Sequence, residues 1–69
     1  MRDSLERLVS EMLDKGVPYE DVRRELEKLS ITRALQRTKG SLGEAADLLG
    51  LHRNTIGRKI AEYRIKRSA

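Results

Sequence analysis

The sequence predicts an all-α fold of four helices, in which two N-terminal helices precede a helix-turn-helix. Apolar residues recur at intervals of three and four along the chain, and no stretch alternates as a strand does. Gly, Pro or a Ser cap separates the periodic segments. The 69 residues suffice for one small domain, but its core is marginal, and a second subunit sharing that core would remove the shortage.

The first segment predicts a helix over about residues 4–15. One face carries Leu5, Leu8, Val9, Met12 and Leu13. Asp3 and Glu6 have the spacing of a capping box, in which each side chain accepts a hydrogen bond from a free N–H group of the first turn. Gly16 ends the helix, because glycine adopts the left-handed cap conformation at little steric cost.

Pro18 begins the second predicted helix, over residues 18–38, since proline at a helix start loses no hydrogen bond. A helix of this length spans about 30 Å and can join two substructures. One face carries Val22, Leu26 and Leu29, and a face rotated from it carries Ile31, Ala34 and Leu35. The change of face near Ser30 is compatible either with one straight helix that packs on two partners or with a kink.

Two short helices complete the chain. Ser41 and Glu44 form a second capping box ahead of a helix over about residues 42–49, which Gly50 ends. The last helix is predicted over residues 53–65. Its apolar face carries Ile56, Ile60 and Tyr63.

Composition excludes several classes of function. The chain has no Cys and a single His, so we expect no cofactor, metal site or disulfide. No nucleophile–base pair and no G-x-x-x-x-G-K-[ST] loop occurs, so we expect no catalysis, nucleotide hydrolysis or small-molecule substrate. Glu25 and Glu27 lie on a helix surface of mixed charge and are expected to be solvated. No apolar run exceeds two residues, so we expect a cytoplasmic protein and no membrane partner.

Positive charge is concentrated at the C-terminal end of the chain. Residues 1–51 hold nine Lys or Arg and ten Asp or Glu, whereas residues 52–69 hold six Lys or Arg and one Glu. The last quarter therefore has a net charge of +5, which indicates a polyanionic partner unless the segment is only a solvated tail. Lys66 and Arg67 are expected to be a frayed basic tail.

Residues 42–63 meet the steric requirements of a helix-turn-helix. Two small alanines allow one helix to cross close to the other, and Gly50 gives the turn its backbone freedom. Leu51 is expected to fill the angle between the helices. The predicted core of this unit comprises Ala45, Ala46, Leu49, Gly50, Leu51, Ile56 and Ile60.

The outward face of the last helix predicts contacts to DNA bases. In a helix-turn-helix the N-terminal tip of the second helix enters the major groove. Arg can bind guanine O6 and N7 with two hydrogen bonds, and Asn can bind adenine N6 and N7 in the same way. Arg53 and Asn54 are therefore the predicted base contacts, while Gly57 and Ala61 let the helix backbone approach the bases.

Neighbouring polar residues predict contacts to the DNA backbone. Thr55 and Lys59 lie on a flank of the last helix, where a hydroxyl and an ammonium group can reach phosphate. His52 precedes the helix, near backbone groups and within reach of a phosphate.

Residues 34–65 resemble the C-terminal domain of the sigma-54-dependent NtrC class of bacterial enhancer-binding proteins, and they are similar also to the factor for inversion stimulation, Fis. The family pattern is A-L-x-x-T-x-G-x-x-x-x-A-A-x-L-L-G-x-x-R-x-T-L-x-x-K-L. Its positions correspond to Ala34, Leu35, Thr38, Gly40, Ala45, Ala46, Leu48, Leu49, Gly50, Arg53, Thr55, Ile56, Lys59 and Ile60. The triplet Arg53-Asn54-Thr55 favours the NtrC class. Departures from the pattern occur at His52, Gly57, Ala61 and Arg64.

The resemblance implies a Fis-like homodimer whose N-terminal helices form an intertwined bundle. It implies inverted-repeat upstream or enhancer sites in double-stranded DNA, and therefore association with the bacterial nucleoid. The dimer interface would then comprise Leu5, Leu8, Met12, Val22, Leu26 and Leu29. Residues 1–30 would supply the dimerisation helices and residues 31–69 the DNA-binding unit, with helix 18–38 bridging them.

The family's DNA contacts carry over to individual positions. Its base-reading Arg corresponds to Arg53, and its phosphate contacts correspond to Thr55, Arg58 and Lys59. The 69 residues are expected to be either a domain of a larger regulator or a naturally short protein of the Fis type.

Two other functions stay open at this point. One is a helical protein-interaction or dimerisation module, compatible with the mixed charge of residues 1–51. The other is a short architectural DNA-binding protein. Salt separates DNA binding from protein binding, because phosphate contacts weaken steeply as salt rises. RNA binding is less favoured, since no aromatic residues lie among the basic ones.

Overall fold

The computed structural model describes residues 1–66, and within them the chain forms four α-helices and no strand. They are α1 (Arg2–Lys15), α2 (Tyr19–Arg37), α3 (Leu42–Leu49) and α4 (Arg53–Tyr63). This confirms the predicted all-α class, and each helix end lies within two residues of its predicted position. Arg67 of the predicted basic tail lies outside the described residues.

The start of α1 differs from the prediction. Met1 occupies the N-cap position and provides no side-chain cap, so the capping box predicted for Asp3 and Glu6 is wrong. Both residues lie inside the helix, because it begins two residues earlier than expected. Glu6 instead accepts a hydrogen bond from Arg2, with 3.1 Å between Arg2 Nε and Glu6 Oε1, as the i,i+4 spacing allows.

Left-handed residues end three of the helices. Gly16 and Gly50 adopt φ values of 68° and 67°, the conformation for which glycine was expected at both positions. Arg64 ends α4 with φ 53°, although it is not glycine. The chain then turns back, so that the N–H of Ile65 donates to the carbonyl oxygen of Ile60 over 3.0 Å.

The connection from α2 to α3 is held by two hydroxyl groups. Ser41 caps α3, since its Oγ accepts the N–H of Glu44 at 3.3 Å, as predicted. The other half of the capping box is replaced, because the N–H of Ser41 donates to the carbonyl of Thr38 at 3.2 Å. The Thr38 hydroxyl donates to the carbonyl of Ala34 at 2.9 Å and so closes the end of α2.

Helix α2 is continuous through Ser30, which decides between the two predicted possibilities in favour of a single helix. Its 19 residues span about 28 Å. Its buried residues all lie in the second half, so the two halves of one helix have different surroundings.

The core lies where the second half of α2 meets α3 and α4. Its buried members are Ile31, Ala34, Leu35, Ala45, Ala46 and Ile56, and Leu42, Leu49, Ile60 and Ile65 pack against them. Gly50 and Leu51 are exceptions to the predicted set, since Gly50 is exposed in the turn and 46% of Leu51 is exposed. The two alanines bring α3 close to α4, and Ile56 fills the space between the helices, so Leu51 stays outside.

The N-terminal part of the chain lies largely outside this core. No residue of α1 is buried. The radius of gyration is 13.3 Å, whereas a compact chain of this length would have about 11 Å. Leu8 of α1 faces Leu26 and Leu29 of α2 across an open apolar groove.

The residues predicted for the dimer interface therefore remain at the surface of the single chain. Met12 and Val22 are half-buried, and Leu5, Leu8, Leu26 and Leu29 are exposed. We call these six residues the uncovered apolar surface. About half of Leu26 and of Leu29 is exposed, 52% and 51% respectively. None of the helices within residues 1–66 is both long and apolar enough to span a membrane.

Candidate nucleic-acid interface

The first turn of α4 is fixed by His52. Its Nδ1 accepts the N–H of Asn54 at 3.1 Å, and its carbonyl oxygen accepts the N–H of Thr55 at 3.0 Å. His52 is thus the N-cap of this helix, the role taken more often by Ser, Thr, Asp or Asn. Because Nδ1 is the acceptor, the neutral ring carries its proton on Nε2, and that nitrogen is a donor.

The apolar side of α4 determines which side faces outward. Ile56 is fully buried and Ile60 is half-buried against the core. Asn54 and Arg58 are exposed on the opposite side and Arg53 is exposed at the N-terminal tip, so the fold places these three predicted contact residues near the start of the helix. The arrangement gives one planar cation, one amide and a second cation along a single exposed surface.

Two small residues on this outward side leave the helix backbone accessible. A Cβ atom built at Gly57 would meet no other atom within 4 Å, so the position faces open space. Ala61, one turn further along, is exposed and projects only a methyl group. A ligand that lies along α4 can therefore come close to the helix backbone at these positions.

A shallow cleft separates the start of α3 from the start of α4. Ser41, Glu44, Asp47, His52 and Arg53 lie along it. The carboxylates of α3 therefore border Arg53 on one side, and the open surface of α4 borders it on the other. An anionic ligand is favoured along α4 and disfavoured over the exposed side of α3.

Thr55 and Lys59 lie on the flank of α4, as predicted from their spacing, but their surroundings differ. Thr55 is half-buried next to the helix cap. Lys59 has only 23% of its side chain exposed and forms an ion pair with Glu27 of α2, with 3.3 Å between Nζ and Oε1. Its Nζ also lies 5.8 Å from the centre of the Tyr63 ring, within the range of a cation–π interaction.

Glu27 is the centre of a four-residue cluster that joins α2 to α4, which we call the Glu27 cluster. Tyr63 donates its hydroxyl to Glu27 Oε1, so it lies at the edge of the core. Arg23 forms an ion pair with Glu27 Oε2 at 3.1 Å, and Lys59 completes the cluster. The expectation that Glu27 is simply solvated is wrong, because only 29% of its side chain is exposed.

The hydrogen bond from Tyr63 shifts the pKa values of both partners. It lowers the pKa of Glu27, and Lys59 and Arg23 lower it further by their positive charge. The same bond raises the pKa of the Tyr63 hydroxyl, because losing that proton would leave two negative oxygens facing each other. Near neutral pH, Glu27 is therefore ionised and Tyr63 is protonated.

Only part of the Glu27 cluster could be predicted from the sequence. The spacing of Arg23 and Glu27 is that of an i,i+4 ion pair on a helix. The partners on α4 are 32 and 36 residues away, and their proximity depends on how α2 and α4 cross.

Comparison with known proteins assigns most of the chain to one family. The family described as "Bacterial regulatory protein, Fis family" matches residues 22–63, which include α3, α4 and most of α2. No solved structure matches the chain significantly.

Curated relatives agree with this assignment. The "DNA-binding transcriptional regulator NtrC" of Rhizobium meliloti is 48% identical over 56 residues, which cover 74% of this chain and 12% of the relative. The regulator of the same name from Bradyrhizobium sp. is 44% identical over 55 residues, again with 74% and 12% coverage. That of Azospirillum brasilense is 44% identical over 48 residues. The chain thus corresponds to about an eighth of the length of the first two relatives.

Proposed function

The chain belongs to the Fis family of bacterial regulatory proteins, and from this we propose that it binds double-stranded DNA sequence-specifically, as a homodimer at inverted-repeat upstream or enhancer sites. We propose further that it is the DNA-binding part of a transcriptional regulator of the NtrC class. The observation that carries the proposal is the outward surface of α4, where Arg53, Asn54 and Arg58 are exposed on a helix whose other side is anchored in the core.

Recognition of bases is assigned to the start of α4. Arg53 and Asn54 have side chains that match guanine and adenine edges in the major groove. Their helix begins at a fixed cap, so their direction is set before DNA arrives. The absence of large side chains at Gly57 and Ala61 supports the assignment, since it lets the helix lie deep in the groove.

Phosphate contacts set the register of the helix on the duplex. Arg58, Thr55 and Lys59 supply donors along α4, and His52 supplies the Nε2 proton ahead of it. The concentration of positive charge in residues 52–69 supports this assignment, because neutralising phosphates releases counterions and drives binding.

We assign the contact with a second copy of the chain to the uncovered apolar surface. The apolar stripe of α1 and the first half of α2 has no cover in the single chain, and a soluble monomer rarely exposes a contiguous apolar area of this kind. Two copies related by a two-fold axis would cover it on both subunits. Their two α4 helices would then enter successive major grooves about 34 Å apart.

Selection from a random duplex pool at near-physiological salt tests the proposal. The expected result is an enriched inverted repeat with half-sites about one helical turn apart. Enrichment of a single half-site would contradict the dimer. Retention without any motif would indicate an architectural DNA-binding protein, and no retention would favour a protein-interaction module.

A substitution then tests the base contact directly. Arg53→Ala is expected to weaken binding to the selected site by about 1–3 kcal/mol and to relax preference at one position of each half-site. Arg33→Ala is the matched control, because Arg33 is an exposed arginine on α2, opposite that helix's core-facing side. If both variants lost the same affinity on all sequences, Arg53 would be a general electrostatic contact only.

A further inference from the structure

Lys59 is placed differently from the other cations of α4. Arg53 and Arg58 are exposed, whereas Lys59 is turned toward α2 and lies against a carboxylate. A phosphate contact by Lys59 therefore has a competitor within the protein. This competition bears on how tightly the chain holds DNA of any sequence.

The competitor, Glu27, is held in an orientation that favours pairing with Lys59. Glu27 lies on the side of α2 that faces α4, and its carboxylate is held from both sides by Arg23 and by the Tyr63 hydroxyl. A carboxylate with fixed orientation loses little side-chain entropy when it pairs, so the pair with Lys59 is better organised than one between two free side chains. Glu62, the other acidic neighbour of Lys59, lies 4.0 Å from its Nζ and is mostly exposed.

We infer that Glu27 competes with DNA phosphate for Lys59 and so lowers the sequence-independent part of the DNA affinity. This inference rests on the proposed function. When Lys59 moves to a phosphate, Glu27 is left with a negative charge that attracts cations from solution. The counterions released by the phosphate contact are then partly recaptured, and the salt dependence of binding is reduced.

The competition affects the affinity for DNA of every sequence and not the preference among sequences. Contacts from Arg53 and Asn54 act only on the correct bases, whereas a phosphate contact from Lys59 acts on every sequence. Weakening the phosphate contact therefore lowers the affinity for every sequence by about the same factor and leaves the ratio of specific to non-specific binding unchanged. Glu27 achieves this from outside the proposed interface, since it lies on α2.

Glu27→Gln tests the inference with little change of shape. The amide oxygen can still accept the Tyr63 hydroxyl, and Arg23 keeps its pair with Glu20. On a duplex of random sequence, the variant is expected to bind more tightly at low salt, with a steeper slope of log affinity against log salt; the increase in slope is at most that of one phosphate contact, about 0.9. Between 50 mM and 200 mM salt its affinity would fall further than that of the wild type, by a factor of at most about 3.5.

Two further variants separate this effect from a general change of charge. Glu20→Gln removes the same charge two turns earlier on the same side of α2, where the carboxylate pairs with Arg23. It is expected to leave the salt slope unchanged. In a Lys59→Gln background, Glu27→Gln is expected to have no effect on slope, because the released cation is then absent.

The outcomes are distinguishable. If the wild-type protein shows no salt-dependent binding to any duplex, the proposed function fails and the inference fails with it. If the wild type binds DNA but the salt slope of Glu27→Gln equals that of the wild type, only the inference fails. The same holds if Glu20→Gln steepens the salt slope as much as Glu27→Gln does. A Glu27→Gln effect that persists in the Lys59→Gln background also overturns it. Circular dichroism of each variant verifies that the helices are intact.

Discussion

The two ends of this chain use the same kinds of apolar side chains with different results. From Ile31 onward, α2, α3 and α4 bury six residues against one another. Before that point, α1 buries none, although its leucines and valine recur with equally regular spacing. Apolar periodicity thus shows that a helix has a face to cover, but it does not show whether the cover comes from the same chain.

The comparison divides the expected effects of substitutions into two kinds. Changes in the C-terminal core should affect folding of each subunit. Changes on the uncovered apolar surface should affect association. Helix α2 takes part in both, because its first half carries Leu26 and its second half carries Ile31.

The largest effect is expected from Leu26→Asp. In the proposed dimer this change places an unpaired carboxylate in an apolar interface, so the dissociation constant should rise by about a hundredfold or more. Sedimentation equilibrium measures it. Lys28→Asp is the control, since it places the same carboxylate on the opposite side of α2. A folded Leu26→Asp protein that remains dimeric would show that this face is not the interface.

Ile56→Ala should have the next largest effect, and it acts on the other region. Ile56 is fully buried between three helices, and removing its branched side chain leaves a cavity that costs about 2–5 kcal/mol. Urea unfolding at matched protein concentration gives the change. Leu48→Ala, at a residue that is 57% exposed, should cost far less. Equal losses for the two variants would mean that the core is not where it is described.

Two glycines, one in each region, allow the two regions to be compared by the same substitution. Gly16 and Gly50 have nearly the same left-handed φ, and an added Cβ would meet no neighbour at either position, so alanine is strained by backbone conformation alone. Gly50→Ala should lower the stability of the C-terminal unit by about 1 kcal/mol. Gly16→Ala should leave that unit unchanged and weaken association instead.

Hydrogen exchange of α4 amides and sedimentation of the same samples distinguish the two effects. Faster exchange in α4 of the Gly16→Ala protein at low concentration would show that α1 supports the core after all. In that case both glycine substitutions would destabilise the same C-terminal unit.

The smallest effect is a pH dependence at the boundary between the regions. The pKa of Glu27 lies below its ordinary value of 4.5, so its contribution to stability is present above that pH and is lost as the pH falls through the lowered pKa. The pKa of Tyr63 lies above 10, so its contribution is present below pH 10 and is lost as the pH rises through the raised pKa.

Urea unfolding midpoints across the pH range test this directly. Glu27→Gln should remove the part of the decline in stability at acid pH that comes from Glu27, and it should reduce the decline at alkaline pH. Because part of Glu27 is in contact with solvent, the change is expected to be modest. An unchanged pH profile in the variant would show that the cluster does not contribute to stability.

Most of the fold could be predicted because its signals are local. Gly16, Gly50 and Ser41 mark helix ends through backbone conformation and capping, which depend on neighbours within four residues. The exceptions depend on information that is not local. Asp3 is not the cap because the helix begins at Arg2, and Leu51 is exposed because two alanines already close the gap that it was expected to fill.

The proposed site divides in the same way. The exposure of Asn54 follows from the position of Ile56 on the opposite side of a regular helix, and Arg53 is exposed because it is the first residue of that helix. The cap formed by His52 was not recognised, because His is an uncommon residue at that position. The pairing of Lys59 with Glu27 needs the crossing of α2 and α4, and no pattern within either helix specifies it.

The continuity of α2 through Ser30 makes angle, rather than distance, the sensitive quantity. A single residue inserted there would move α3 and α4 by only about 1.5 Å but would rotate them by about 100° relative to Leu26. Seven inserted residues would displace them by about 10 Å and return nearly to the original phase. In the proposed dimer, the longer insertion would leave both recognition surfaces pointing toward one side of the assembly, whereas the shorter one would turn them away from a common duplex.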